Sequence, residues 1–213
     1  MALRERKKER TRQLIADTAR RLFAERGFEA VSVAEVARAA DVSEATVFNY
    51  FATKEDLFYS GLEAFEEELL ATIRRREPGT SVLDAFARFV LEPRGLMAAK
   101  DPEAFERLAQ FTRVIEESPA LLARERAIFA GYTDSLAALL AEETGAKPGA
   151  VEPWVVANAL MGVHRALVAY SRRQIVAGAR NPRLIRDVRA QGRRALAALE
   201  SGLGDYGVRA PTS

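Results

Sequence analysis

Apolar residues recur at spacings of three and four along most of the chain, which gathers one face of an α-helix, and the two-residue alternation of strands is nearly missing. A first helix is expected over residues 6–26, with Leu14, Ile15, Thr18, Leu22 and Phe23 on one face and Gly27 as its stop. Ser32 and Glu35 form a capping box that opens a second, short helix ending near Ala39 or Ala40. A tight turn at Asp41 and Val42 follows, and Ser43 caps a third helix of about two turns. Phe48, Tyr50 and Phe51 lead into Thr53, which with Asp56 caps a fourth helix expected to run as one piece to about residue 75.

Past Pro78 and Gly79, Ser81 and Asp84 start a helix bearing Val82, Phe86, Phe89 and Val90, which stops before Pro93. Asp101 and Pro102 start the next, and Ser118 and Pro119 another that ends at Gly145. Pro153 lies in the first turn of a strongly apolar helix ending at Gly178, and Asn181 with Pro182 opens the last helix. These signals predict an all-α fold of about nine helices. The expected division is residues 1–52 as a helix-turn-helix domain, 53–204 as a helical regulatory and dimerisation domain, and 205–213 as a frayed tail.

Composition narrows the function classes. At 213 residues with 48% hydrophobic and 29% charged side chains, the chain reads as an ordinary soluble protein. Its longest apolar runs, such as residues 154–160, are too short for a bilayer and the amino terminus is charged, so a cytoplasmic protein without membrane contact is expected. Cysteine is absent and there is one histidine, which leaves little for a metal site; no metal or other cofactor is expected. With no glycine-rich phosphate loop and only scattered carboxylates as acid or base, an enzyme is not expected either.

The net charge of +2 says little, but its distribution is uneven. Residues 1–54 hold 11 Lys/Arg against 8 Asp/Glu, residues 55–171 hold 12 against 19, and residues 172–213 hold 9 against 3. In the head, the positive charge gathers at Arg4, Arg6, Lys7, Lys8, Arg10 and Arg12, where Arg6 and Lys8 suit a phosphate-binding arm and equally a solvated helix start. The arginines at 183, 186, 189, 193 and 194 are read as a solvated face.

A capped short helix, a turn and a second capped short helix, all after a longer amphipathic helix, form the pattern of a helix-turn-helix, whose second short helix enters the major groove. Residues 43–50 are then the reading segment. Periodicity turns Val47 and Phe51 inward with Val33, Val36 and Ala37, and leaves Glu44, Ala45, Thr46, Phe48 and Asn49 outward. Phe48 suits contact with sugars or a thymine methyl, and Tyr50 and Lys54 suit phosphates.

Over about 50 residues this stretch resembles the TetR family of repressors. The resemblance rests on LFAERGFEAVSV at 22–33, VARAADVS at 36–43 and TVFNYFATKEDL at 46–57. It implies an all-helical homodimer in which Ser32, Thr46, Tyr50 and Lys54 touch DNA, with Ser43 at the start of the recognition helix and a carboxy-terminal domain that binds an inducer. Three positions depart from the family pattern. Asp41 stands where glycine is common and would take a positive φ, Phe48 replaces a frequent tyrosine, and Glu44 puts an acid beside the phosphates.

Val156, Leu160, Val163, Leu167 and Tyr170 show the alternating four and three spacing of a helix-pairing seam. Core packing explains it equally, and the resemblance favours a dimer interface that also takes Leu184, Val188, Leu196 and Leu199 of the last helix. Phe86, Phe89, Phe105, Phe111, Phe129, Tyr132, Trp154 and Met161 supply apolar lining for a small, largely apolar effector, with Asn158, His164 and Arg165 as polar anchors; a purely structural role for His164 is weighed alongside. The function expected is a ligand-responsive repressor that binds a near-palindromic double-stranded DNA operator as a homodimer and is released by a small molecule. An activator of the same fold and a helical protein-binding adaptor are the alternatives.

Overall fold

A computed structural model describes residues 3–99, 102–180 and 182–203. Asp101, Asn181 and the tail at 205–213, to which the sequence assigns helix starts and fraying, lie outside the described residues. Among those described there is no strand, and ten α-helices follow one another: α1 (Leu3–Arg26), α2 (Val33–Ala39), α3 (Glu44–Phe48), α4 (Lys54–Phe58), α5 (Glu63–Arg74), α6 (Val82–Leu91), α7 (Pro102–Glu117), α8 (Pro119–Thr144), α9 (Glu152–Val176) and α10 (Arg183–Leu203). A 3₁₀ turn at Gly95–Met97 precedes α7. Among the described residues no helix is long and apolar enough to cross a membrane.

The expected fourth helix is two. Gly61 adopts φ 95°, a backbone conformation closed to most side chains, and residues 59–62 turn between the five-residue α4 and the twelve-residue α5. The chain divides into two compact units close to this break: residues 1–63 with 113–124, and residues 64–112 with 125–213. The head thus extends beyond the expected boundary at 52 and also takes in the end of α7 and the start of α8.

In the head, Ile15, Ala19 and Phe23 of α1 are fully buried with Val36, Ala37, Val47, Phe51 and Leu57. Phe23, Phe28 and Phe58 form an aromatic cluster with ring centres 5.0 to 6.1 Å apart. Leu14 departs from its expected face: it is exposed, while Ile15 and Thr18 beside it are buried.

The α7–α8 segment packs into the head through three polar contacts. Tyr59 donates to the Leu121 carbonyl at 3.0 Å, Ser118 donates to Glu29 at 2.6 Å, and Arg124 pairs with Asp56 at 2.7 Å.

The second unit is a helical bundle whose core draws on α5, α6, α8, α9 and α10, with Leu69, Phe86, Leu136, Leu160, Met161 and Leu196 among its buried members. Phe105, Ile175 and Leu184 form a separate cluster with Met97 and Leu108. Arg172 grips Glu125 with both guanidinium nitrogens, and neither side chain is more than 14% exposed.

Candidate nucleic-acid interface

The reading segment is built by its caps. Ser32 accepts the Glu35 N–H at 3.2 Å, and the Glu35 carboxylate accepts the Ser32 N–H at 2.8 Å, which closes the capping box that starts α2. The Ser32 backbone bond, followed by the Arg26 side chain at 2.8 Å, holds the Glu35 carboxyl down to about 2. The Ser32 hydroxyl also bonds Glu35, at 2.9 Å.

α2 ends in a Schellman motif. The Asp41 N–H reaches the Arg38 carbonyl at 3.2 Å and the Val42 N–H the Ala37 carbonyl at 3.0 Å, which places Asp41 at φ 55°. It is the only non-glycine residue with positive φ among those described, as the sequence anticipates. Ser43 then caps α3 by accepting the Thr46 N–H at 3.1 Å, and the two hydroxyls bond each other at 2.8 Å.

With Val47 buried beneath α3, Glu44, Ala45, Phe48 and Asn49 are exposed and Thr46 is half-buried. α3 is shorter than expected, five residues with Asn49 as its carboxy-terminal cap. Asn49 and Tyr50 line an open cleft of about 390 Å³ with Glu5, Lys8, Glu9 and Arg12 of α1. The amino-terminal part of α1 and the residues that close α3 therefore share one surface.

Arg12, which the candidate interface lacked, belongs to this surface and stands 5.3 Å from the Phe51 ring centre. Its position four residues after Lys8 was the available signal, since that spacing repeats one helix face. Arg6 is exposed on the same helix, in a neighbouring depression with Glu9, Arg10, Gln13, Leu14 and Asp17. Lys54 is less free than its assignment to phosphate implied: its ammonium lies 4.2 Å from the Phe28 ring centre, and burial lowers its pKa against the pull of Glu29, Glu55 and Glu35.

In the second unit, Phe89, Phe129, Tyr132 and His164 converge with Phe65, a ring that periodicity did not single out. Phe65 stacks on His164 at 4.6 Å and on Tyr132 at 5.5 Å, and meets Phe89 edge-on at 5.2 Å. His164 as a residue keeps some solvent access, but its imidazole is packed against these rings, and desolvation, followed by the nearby Arg165 charge, lowers its pKa to about 4. Arg165 bonds the Thr133 hydroxyl at 3.4 Å. Phe86 and Met161 lie in the same core, and Phe89 borders an open groove of about 540 Å³ with Arg75, Arg88 and Arg94 on its rim.

Other expected pocket residues lie elsewhere. Trp154 is 53% exposed on the outer face of α9, Asn158 donates to the Trp154 carbonyl, and Phe105 belongs to the separate cluster with Ile175 and Leu184. Phe111 is half-buried, outside the members of either cluster.

Of the helix-pairing seam, Val156, Leu160, Val163, Leu167, Leu184 and Leu196 are each less than 8% exposed in a single chain, which fits the core-packing alternative that the spacing left open. Tyr170, Val188 and Leu199 are half-buried.

A capped α2–turn–α3 with an open outer face, attached to an all-helical second unit, defines a one-component DNA-binding transcriptional regulator. The chain belongs to the TetR family of bacterial regulatory proteins: that family's pattern matches residues 15–60, and the pattern of the MftR C-terminal domain matches residues 80–203. It is 30% identical over 165 residues to the putative mycofactocin biosynthesis transcriptional regulator MftR of Mycobacterium tuberculosis, covering 78% of this chain and 80% of the relative.

Two solved structures share the fold. NalD, the secondary repressor of the MexAB-OprM multidrug efflux pump in Pseudomonas aeruginosa, superposes with a TM-score of 0.54 at 22% identity, over 92% of this chain and 98% of NalD. The SmeT–triclosan complex gives 0.54 at 18% identity, over 95% and 96% of the two chains.

Proposed function

We propose that the protein is a repressor that binds a near-palindromic operator as a homodimer and leaves it when a small, largely apolar molecule enters the regulatory unit. The observation that carries this reading is the outer face of α3, held by the Ser43 cap and the Asp41 turn and flanked by Lys8, Arg12 and Tyr50. Glu44, Ala45, Thr46, Phe48 and Asn49 would face base edges, while Arg6, Lys8, Ser32, Ser43, Tyr50 and Lys54 would meet the backbone. Ser32 and Ser43 serve best through the helix starts they cap, because their hydroxyls already bond Glu35 and Thr46.

Two heads of a dimer enter successive major grooves when about 34 to 36 Å apart. A mate would meet α9 along Val155, Ala159, Gly162, Ala166 and Tyr170, which recur at four- and three-residue spacing and whose small members at 159, 162 and 166 let two helix backbones approach. For the effector, the buried ring cluster of Phe65, Phe89, Phe129, Tyr132 and His164 is the apolar region that would have to open to admit it, with Arg165 as the nearby charge. A bound triclosan in the similarly folded SmeT fits this class of ligand.

The test is selection of random duplex DNA by the purified full-length protein, followed by binding measured over a salt series. Enrichment of an inverted repeat, bound more weakly as salt rises, supports the reading. Recovery of unenriched sequence overturns it.

A further inference from the structure

We propose that Phe48 reads the 5-methyl group of a thymine in each half of the operator, so that the protein recognises a methyl group as well as hydrogen-bonding edges. This rests on the DNA-binding reading above and names what one residue of that surface selects.

Phe48 is 52% exposed, in a head whose other phenylalanines are at most 4% exposed. It closes α3, a helix fixed from beneath by buried Val47 and at its start by the Ser43 cap. The Val47 carbonyl takes both the Tyr50 and Phe51 N–H groups at 3.0 Å, so the backbone that presents Phe48 is tied down on its far side as well. A fixed, outward aromatic ring gains nothing from water; its apolar area is compensated when another apolar surface covers it.

The chemistry of the groove narrows what that surface is. Each base pair offers the major groove a set of donors and acceptors, and the only apolar group among them is the thymine C5-methyl. The Phe48 ring has no hydroxyl and takes no part in a donor–acceptor code, so its contribution to sequence choice is contact with that methyl. Around it, Glu44, Thr46 and Asn49 have the polar atoms that read edges, with the Thr46 hydroxyl also bonded to that of Ser43. Ala45 is the other outward apolar group on α3, and its single methyl covers far less area than the ring.

Uracil keeps every pairing and edge atom of thymine and lacks only this methyl, which makes it the direct probe. Each thymine of the selected operator is replaced in turn by deoxyuridine, and binding of the full-length protein is measured by fluorescence anisotropy for the unaltered protein and for F48A. One thymine per half-site is expected to weaken binding by about fourfold on demethylation, the equivalent of one buried methyl-sized group. F48A, exposed and therefore able to fold, is expected to bind the thymine and uracil forms equally, with circular dichroism verifying its helix content.

An operator whose thymines all tolerate uracil overturns the proposal while leaving the regulator reading intact. Retention of the full thymine preference by F48A also overturns it and assigns the methyl contact to Ala45. Failure to select any DNA sequence overturns both.

Discussion

Arg124 donates through Nε at 2.9 Å and lies 2.7 Å through Nη2 from Oδ1 of Asp56, while the other oxygen of that carboxylate accepts the Thr53 N–H at 3.1 Å. One aspartate therefore caps α4 and receives a cation from α8, and the two tasks differ in weight. Replacing a capping side chain costs about 1 kcal/mol, whereas an ion pair with partners 42% and 20% exposed is worth less than about 1 kcal/mol. Asp56→Ala is expected to lower stability by about 1 to 2 kcal/mol and Arg124→Ala by less than about 1 kcal/mol. In urea unfolding, a greater loss for Arg124→Ala than for Asp56→Ala would contradict this division.

Asp41 sits in the left-handed region at φ 55°, where an ordinary L-residue loses roughly 1 kcal/mol or more and glycine almost nothing. Part of the gain from glycine is lost to its freer unfolded chain. Asp41→Gly is expected to raise stability by about 0.5 kcal/mol, and Asp41→Val to lower it by about 1 to 2 kcal/mol because a β-branched side chain fits that backbone least. Thermal melts of the two variants should move in opposite directions from the parent protein; a shared direction sinks the explanation.

The head was largely legible because its information is local. Ser32 with Glu35, Ser43 ahead of Thr46, and Asp41 in the turn each act over three or four residues, and the structure forms each of them as the sequence predicts. What escaped is set by distance or by a single backbone angle. Gly61 breaks the expected long helix although it follows an apolar run that reads as continuous, and Leu14 faces solvent beside a buried Ile15.

Leu160 and Leu167 show why a seam pattern is ambiguous. The four–three spacing states that one face of α9 is apolar, and it is silent on whether the cover comes from the same chain. Here the same chain supplies it, while the stripe through Ala159, Gly162 and Ala166, too small-sided to register as hydrophobic, is half-buried at the first two positions and exposed at the third. Phe65 was missed for a similar reason: its partners Tyr132 and His164 lie more than sixty residues away.

The folded protein binds a proton at His164 only below about pH 4, while the unfolded chain takes one below the ordinary value of 6.5. Between those values the unfolded state holds more protons, so stability is unaffected above about pH 7 and falls as pH drops from 6.5 to 4. The part of the decline due to this group is at most about 3 kcal/mol. His164→Phe keeps a stacking ring for Phe65 and removes the titration, and its urea midpoint should fall less steeply than the parent's across that window. Carboxylates such as Glu35, held near 2, titrate alike in both proteins and cancel in the comparison. Parallel pH curves for the two proteins would show that the ring does not resist protonation.

Gly192 lies in α10 where a Cβ would run into Cδ2 of Leu91 and stand 3.2 Å from Cδ1 of Leu167. Glycine here serves close packing of α10 against α6 and α9, since its φ is not positive and helix propensity alone favours alanine by about 1 kcal/mol. Overpacking in a filled core costs about 1 to 3 kcal/mol, which outweighs that gain. Gly192→Ala is therefore expected to lower stability by about 1 kcal/mol. Leu91→Ala alone removes buried contacts and also destabilises, but it empties the space the new methyl requires. Combined with Leu91→Ala, the Gly192→Ala change should become neutral or stabilising as its propensity gain is released, a coupling that a double-mutant cycle reads directly. If Gly192→Ala costs the same in both backgrounds, the contact with Leu91 is not what confines position 192 to glycine.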